Sequence, residues 1–88
     1  MKKVIVYYSE YCKDCGPLKA ALDEAGIKYA PVDISSGMFP LKQFLKYRDH
    51  RPEFDPIKEK GQVGVPCIVV NDGEQIMFSV PEDLDILR

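Results

Sequence analysis

The stretch Val4-Ile5-Val6-Tyr7-Tyr8-Ser9-Glu10-Tyr11-Cys12-Lys13-Asp14-Cys15 decides the architecture. From Lys3 to Tyr8 the residues are β-branched or aromatic with almost no polar break, the pattern of a strand covered on both faces. A short polar loop, Ser9-Glu10-Tyr11, leads into a cysteine pair. From Cys15 onward Leu18, Ala21, Leu22 and Ala25 fall on one helical stripe. Pro17 suits the first turn, where its missing N–H is not needed, and Gly26 suits the residue just past the end. Tyr29 to Ile34 reads as a second strand, with Pro31 marking a sheet edge. Strand, helix and strand in this order make a parallel pair with a right-handed crossover.

Ser35-Ser36-Gly37 is a turn. Phe39, Leu41, Phe44, Leu45 and Tyr47 then mark a second helix starting near Pro40. Of these, Phe39, Phe44, Leu45 and Tyr47 are expected in the core. Pro52 breaks that helix, and Phe54, Ile57 and Gly61 suggest a short extra helical turn after Asp55-Pro56. Val65 to Val70 is a third strand, Asn71-Asp72-Gly73 a hairpin signal, and Gln75 to Val80 a fourth strand. Pro81-Glu82-Asp83-Leu84 should open a terminal helix. The order is βαβαββα.

The chain has 88 residues, enough for one small domain, and no internal repeat or linker divides it. A net charge of −2 argues against a general nucleic-acid binder. No apolar run approaches the roughly 20 residues of a membrane span. The opening apolar stretch is too short for a signal peptide, so a cytoplasmic location is expected. Three cysteines are too few for a secreted disulfide scaffold. In a reducing compartment a C-x-x-C pair is redox-active or metal-binding.

Cys12-Lys13-Asp14-Cys15 falls where the first strand hands over to the first helix. A thiolate there meets unpaired N–H groups and the positive end of the helix dipole. Such surroundings lower a thiol pKa, and the thiolate is the species that attacks disulfides. Cys12 is therefore expected to be the exposed nucleophile, with Cys15 one turn inward to resolve the mixed disulfide. Lys13 favours the thiolate by charge, and Asp14 opposes it. A structural zinc needs four ligands. Only Cys67 and the lone His50 stand ready to join the pair, so redox chemistry is the expectation and a bound metal is not. A non-catalytic binding module, holding zinc or a partner protein, and a thiol-based regulator are the alternatives.

A second signal is Gly61-Gln62-Val63-Gly64-Val65-Pro66-Cys67. Proline cannot donate to a ladder, so Pro66 belongs at a strand start, where it could carry a cis bond. With the opening strand, the cysteine pair and the element order, this makes the chain resemble the glutaredoxin branch of the thioredoxin superfamily over nearly its whole length. The resemblance implies a single thioredoxin-like α/β domain, a four-stranded mixed sheet flanked by helices. It also implies a cis proline at Pro66 lying against the cysteine pair, and a Val65 backbone that pairs with substrate peptide or glutathione. The implied activity is thiol–disulfide exchange by Cys12 and Cys15 on a disulfide-containing protein or on glutathione mixed disulfides. No tightly bound cofactor is expected, and glutathione or a dithiol reductase is the expected electron donor. No membrane or nucleic-acid partner is expected, and the chain is expected to be a monomer.

Departures from the family pattern bear on glutathione. Where the family carries a lysine shortly before the first cysteine, this chain has Ser9-Glu10-Tyr11. Its Phe78-Ser79-Val80-Pro81-Glu82-Asp83 replaces the usual Gly-Gly segment, and the segment between the second strand and Val65-Pro66, which includes Tyr47 to Pro52, is longer than usual. Arg48 and Arg51 have the fork that suits a carboxylate, although such residues more often form a solvated face. Tyr11 is either a substrate platform beside Cys12 or an ordinary loop aromatic. Cys67 suits a buried apolar position better than a third redox thiol. His50 reads as a surface residue.

Overall fold

The computed structural model describes residues 2–88. Its strands are β1 (Val4–Tyr8), β2 (Ala30–Asp33), β3 (Cys67–Val70) and β4 (Gln75–Met77), and its α-helices are α1 (Cys15–Glu24), α2 (Met38–Arg48) and α3 (Asp55–Glu59). The sheet order is β2-β1-β3-β4. β1 runs parallel to β2, and β3 runs antiparallel to both β1 and β4. The strand-helix-strand unit is thus the parallel one expected, and Pro31 lies on an edge strand.

Period-two alternation on the central strands builds a core on each face of the sheet. Val4 and Val6 of β1, with Ile68 and Val70 of β3, pack against Leu18 and Leu22 of α1, Ile27 and Leu87. Tyr7, Cys67 and Val69 point the other way, onto Phe44 of α2, Phe54 and Ile34. Phe44 and Phe54 meet edge-on at 5.7 Å between centroids, and Phe54 meets Phe78 at 4.9 Å. α1 ends as Gly26 anticipates. That residue has φ +70°, its N–H reaches the Asp23 carbonyl, and the Ile27 N–H reaches the Leu22 carbonyl. Two orphan carbonyls are satisfied in a Schellman arrangement.

Several elements differ from the sequence reading. Phe39 is not in the core. It is 76% exposed, and neighbouring Met38 is 67% exposed. At 3.6 residues per turn Phe39 lies about 140° around the helix from Phe44, off the face that Leu41, Phe44 and Tyr47 present to the sheet. Leu45 and Tyr47 are half-buried rather than fully enclosed. The terminal helix is a four-residue 3₁₀ segment, Leu84–Leu87, and not an α-helix. Asp83 caps it by accepting the Asp85 N–H, and Leu84 and Leu87 align at the i, i+3 spacing of that tighter helix to reach the core. β3 starts at Cys67, two residues later than expected, because Pro66 has no N–H for the ladder. β4 then ends at Met77 rather than Val80, where its last ladder partner is Ile68. The extra turn after Pro52 is present, as a 3₁₀ segment followed by α3.

Gly64 adopts φ +104°, and a Cβ there would sit 2.9 Å from the Phe54 ring. Both backbone and space reserve the position for glycine. Gly64→Ala is expected to cost about 1–3 kcal/mol of stability, read as a lower urea midpoint with an unchanged m-value. A variant as stable as the parent would overturn this account of the turn.

Candidate functional site

The two cysteines hold different positions. Cys12 lies in the turn between β1 and α1, partly exposed, with its N–H bonded to the Ser9 carbonyl. Cys15 is the first residue of α1 and is 2% exposed. The helix therefore opens at the second cysteine, and Cys12 stands just ahead of it rather than within its first turn. No side chain caps that helix end. Burial pushes the Cys15 thiol up to about 12, helped by a hydrogen bond shared with the Cys12 sulfur, while Ser9 and the Lys19 ammonium pull the other way.

Across from Cys12 runs the Gln62–Pro66 loop. The Val65–Pro66 peptide bond is cis. The Cys12 thiol donates to the Val65 carbonyl at 3.6 Å, a long sulfur hydrogen bond that places Val65 beside the first cysteine. The Val65 N–H makes no hydrogen bond among the described residues. A cavity of about 640 Å³ extends from this point, walled by Pro17, Leu18, Val65, Pro66, Phe78 and Val80, with Asp14 its one charged wall residue. Tyr11 and Lys13 flank Cys12 and face solvent, Tyr11 at 82% exposure. The structure thus gathers Tyr11, Cys12, Lys13, Cys15, Val65 and Pro66 at one end of the sheet.

The remaining candidates lie elsewhere. Cys67 is fully enclosed in the α2-side core, and burial pushes its thiol up to about 12. His50 places Nδ1 against the Lys46 carbonyl at 3.0 Å. Among the described residues no three His, Cys, Asp or Glu side chains gather where they could hold a metal ion. No helix there is long and apolar enough to cross a membrane.

Both arginines depart from the two roles read for them. Arg48 donates through Nε to the Val63 carbonyl and through Nη2 to the Gln62 carbonyl, each at 2.7 Å. It ties the end of α2 to the loop that carries Val65. Arg51 donates to the Gly73 carbonyl at 2.7 Å and pairs with Glu53 at 2.8 Å. Neither guanidinium lines the cavity beside Cys12.

The glutaredoxin family profile matches residues 4–76. The chain belongs to the glutaredoxin family. It is 38% identical over 77 residues to an uncharacterized protein of Haemophilus influenzae, covering 88% of this chain and 90% of that one. Two solved structures share the fold. The glutaredoxin from Methanosarcina mazei Go1 superposes with a TM-score of 0.65 at 23% identity, over 91% of this chain and 70% of that one. The holo form of glutaredoxin C1 from Populus tremula x tremuloides gives 0.60 at 18% identity, over 86% and 64%. Membership of the family supports an oxidoreductase of the thiol–disulfide type.

Cys15, Cys67 and Tyr7 are each held neutral to about pH 12, above ordinary values of 9.0, 9.0 and 10.0. Between those values and 12 the unfolded chain binds fewer protons than the folded one, so stability falls as pH rises. Urea midpoints taken from pH 8 to pH 11 should decline, and less steeply in Cys67→Ala. Arg48→Ala should release the Gln62–Val63 segment. It should raise KM for a disulfide substrate several-fold with little change in kcat, and Arg48→Lys should restore only part, since one ammonium cannot reproduce the fork.

Proposed function

We propose that this chain reduces disulfides in proteins or extended peptides by a two-cysteine mechanism, with glutathione a poor electron donor. The observation that carries this reading is the pairing of a part-exposed Cys12, beside the Val65 backbone, with a buried Cys15 behind it. The Cys12 thiolate attacks one sulfur of the substrate disulfide. A Cys12–substrate bond forms, and the second substrate sulfur leaves as a thiolate that takes up a proton. Cys15 loses its proton and attacks the Cys12 sulfur. This releases the first substrate sulfur as a thiol and leaves a Cys12–Cys15 disulfide. Two electrons from a dithiol reductase, or from two glutathione molecules, restore the dithiol pair.

The uncapped start of α1 supports a thiolate nearby, since its unpaired N–H groups and dipole favour negative charge. The Val65 N–H, unpartnered among the described residues, supports docking of an extended chain, which would pair with it as an added strand does. Tyr11 and Lys13 are placed to meet residues flanking the disulfide. The cavity wall bears against glutathione. Its one charge is Asp14, and Arg48 and Arg51 are engaged with carbonyls and Glu53. A glutathione carboxylate meets no cation in the cavity wall and forgoes a charge-assisted hydrogen bond of roughly 1.5–3 kcal/mol, of which Lys13 beside Cys12 can restore some, and carboxylate repulsion adds about 1 kcal/mol or less. Together these weaken glutathione by about one to three decades.

Iodoacetamide near neutral pH should label Cys12 in the native protein much faster than Cys15 or Cys67, as mass spectrometry of the digested protein would show. Equal rates at all three would remove the basis for the assignment. Insulin reduction driven by dithiothreitol should be robust, while glutathione-driven turnover of hydroxyethyl disulfide should be weak. Strong turnover in the second assay would show that other residues hold glutathione. Inactivity in both, with the cysteines intact, would favour a non-catalytic module.

A further inference from the structure

A second cavity, of about 380 Å³, lies over the α2 face of the sheet and shares no wall residue with the one beside Cys12. Its walls include Lys3, Lys46 and Arg51, with Asp72 the one acid, in a chain whose net charge is −2. Asp72 is already bound by Lys3 at 2.7 Å, and Arg51 by Glu53 and the Gly73 carbonyl. Lys46 forms no ion pair among the described residues. A local excess of positive charge therefore faces this space.

Two tyrosines supply the second observation. Tyr7 is 1% exposed, lines this cavity, and its hydroxyl makes no hydrogen bond to any described residue. Yet no buried side-chain polar atom among the described residues is both sealed from solvent and unpartnered, so the small exposure left to Tyr7 lies at that hydroxyl. That hydroxyl meets the cavity at its tip with no described protein group to bond, so its donor is available to whatever enters the space. Burial pushes Tyr7 up to about 12, so it stays a phenol able to donate. Tyr47, whose ring lies 6.1 Å from that of Tyr7, stands in the same wall, and its hydroxyl also makes no hydrogen bond to a described residue.

We propose that this cavity binds a small oxyanion, a phosphate or carboxylate group, with Tyr7 and Tyr47 donating to its oxygens and Lys46 supplying the countercharge. A phenol donor and an ammonium suit such a group, because neither depends on a planar bidentate fit. Lys3 and Arg51, although paired, add to the local potential. The site is separate from the cysteines and is independent of the activity proposed above.

The test is a two-dimensional amide NMR titration of the full-length chain with sodium phosphate and, separately, sodium acetate. Ionic strength is held constant with sodium chloride. Saturable millimolar shifts at Tyr7, Lys46 and Tyr47, with Cys12 and Val65 unmoved, are expected. Tyr7→Phe keeps the ring and its packing and should weaken binding about tenfold, the worth of one hydrogen bond to a charged group. Lys46→Gln, an exposed change, should weaken it several-fold. Tighter binding of phosphate would identify a phosphate-bearing ligand, and equal or tighter binding of acetate a carboxylate. Absence of saturable shifts with either salt would overturn the proposal, as would binding unchanged in a Tyr7→Phe variant that melts like the parent.

Discussion

Pro66 has no N–H to give, and much of the site follows from that. A strand entered through proline cannot begin its ladder there, so β3 pairs from Cys67 onward and the residues before it must find other partners. Gln62 and Val63 find theirs in Arg48. Gly64 takes a conformation closed to other residues and tucks against Phe54. Val65 is left with its carbonyl toward Cys12 and its N–H without a partner among the described residues. A backbone that is not spent on the sheet is thereby held still beside a thiol, which is the condition for reading an incoming chain.

The other half of the site depends on β1. Because β1 is central and covered on both faces, its end is fixed by both cores, and the turn that follows has little freedom. Ser9 bonds Ser35 beyond β2 and accepts the Tyr11 N–H, so the approach to Cys12 is tied to the neighbouring strand as well. Cys15 then enters the α1-side wall, where burial keeps it neutral. The division of the pair into one accessible and one enclosed sulfur is a product of packing.

Local chemistry was legible in the sequence where one residue decides the outcome. Gly26 ends α1, Asn71 and Asp72 take positive φ in the β3–β4 connection, and Pro31 lies on an edge. The cysteine pair is legible for the same reason, since its position between strand and helix is a matter of order along the chain. What escaped were features set by distant partners. Arg48 and Arg51 look like free guanidinium groups in sequence, but their acceptors are carbonyls 14 to 22 residues away. Phe39 has the composition of a core residue but lies on the wrong side of α2, a distinction that turns on where the helix is rotated. The Tyr7 hydroxyl was invisible, because an alternating strand pattern reports which face a ring occupies and not what its oxygen meets.

Both outer strands of the sheet are poor templates for another chain. β2 carries Pro31, which removes a donor from that edge, and β4 is three residues long. A protein that takes extended polypeptide at one point, as proposed for this one, is exposed to the hazard of admitting it everywhere, through runaway strand addition into aggregates. Here the two lateral rims are blunted, while the open backbone at Val65 lies off the end of the sheet, in a loop too short to seed a ladder. Under the proposed reading, the fold confines main-chain pairing to the place where a sulfur waits.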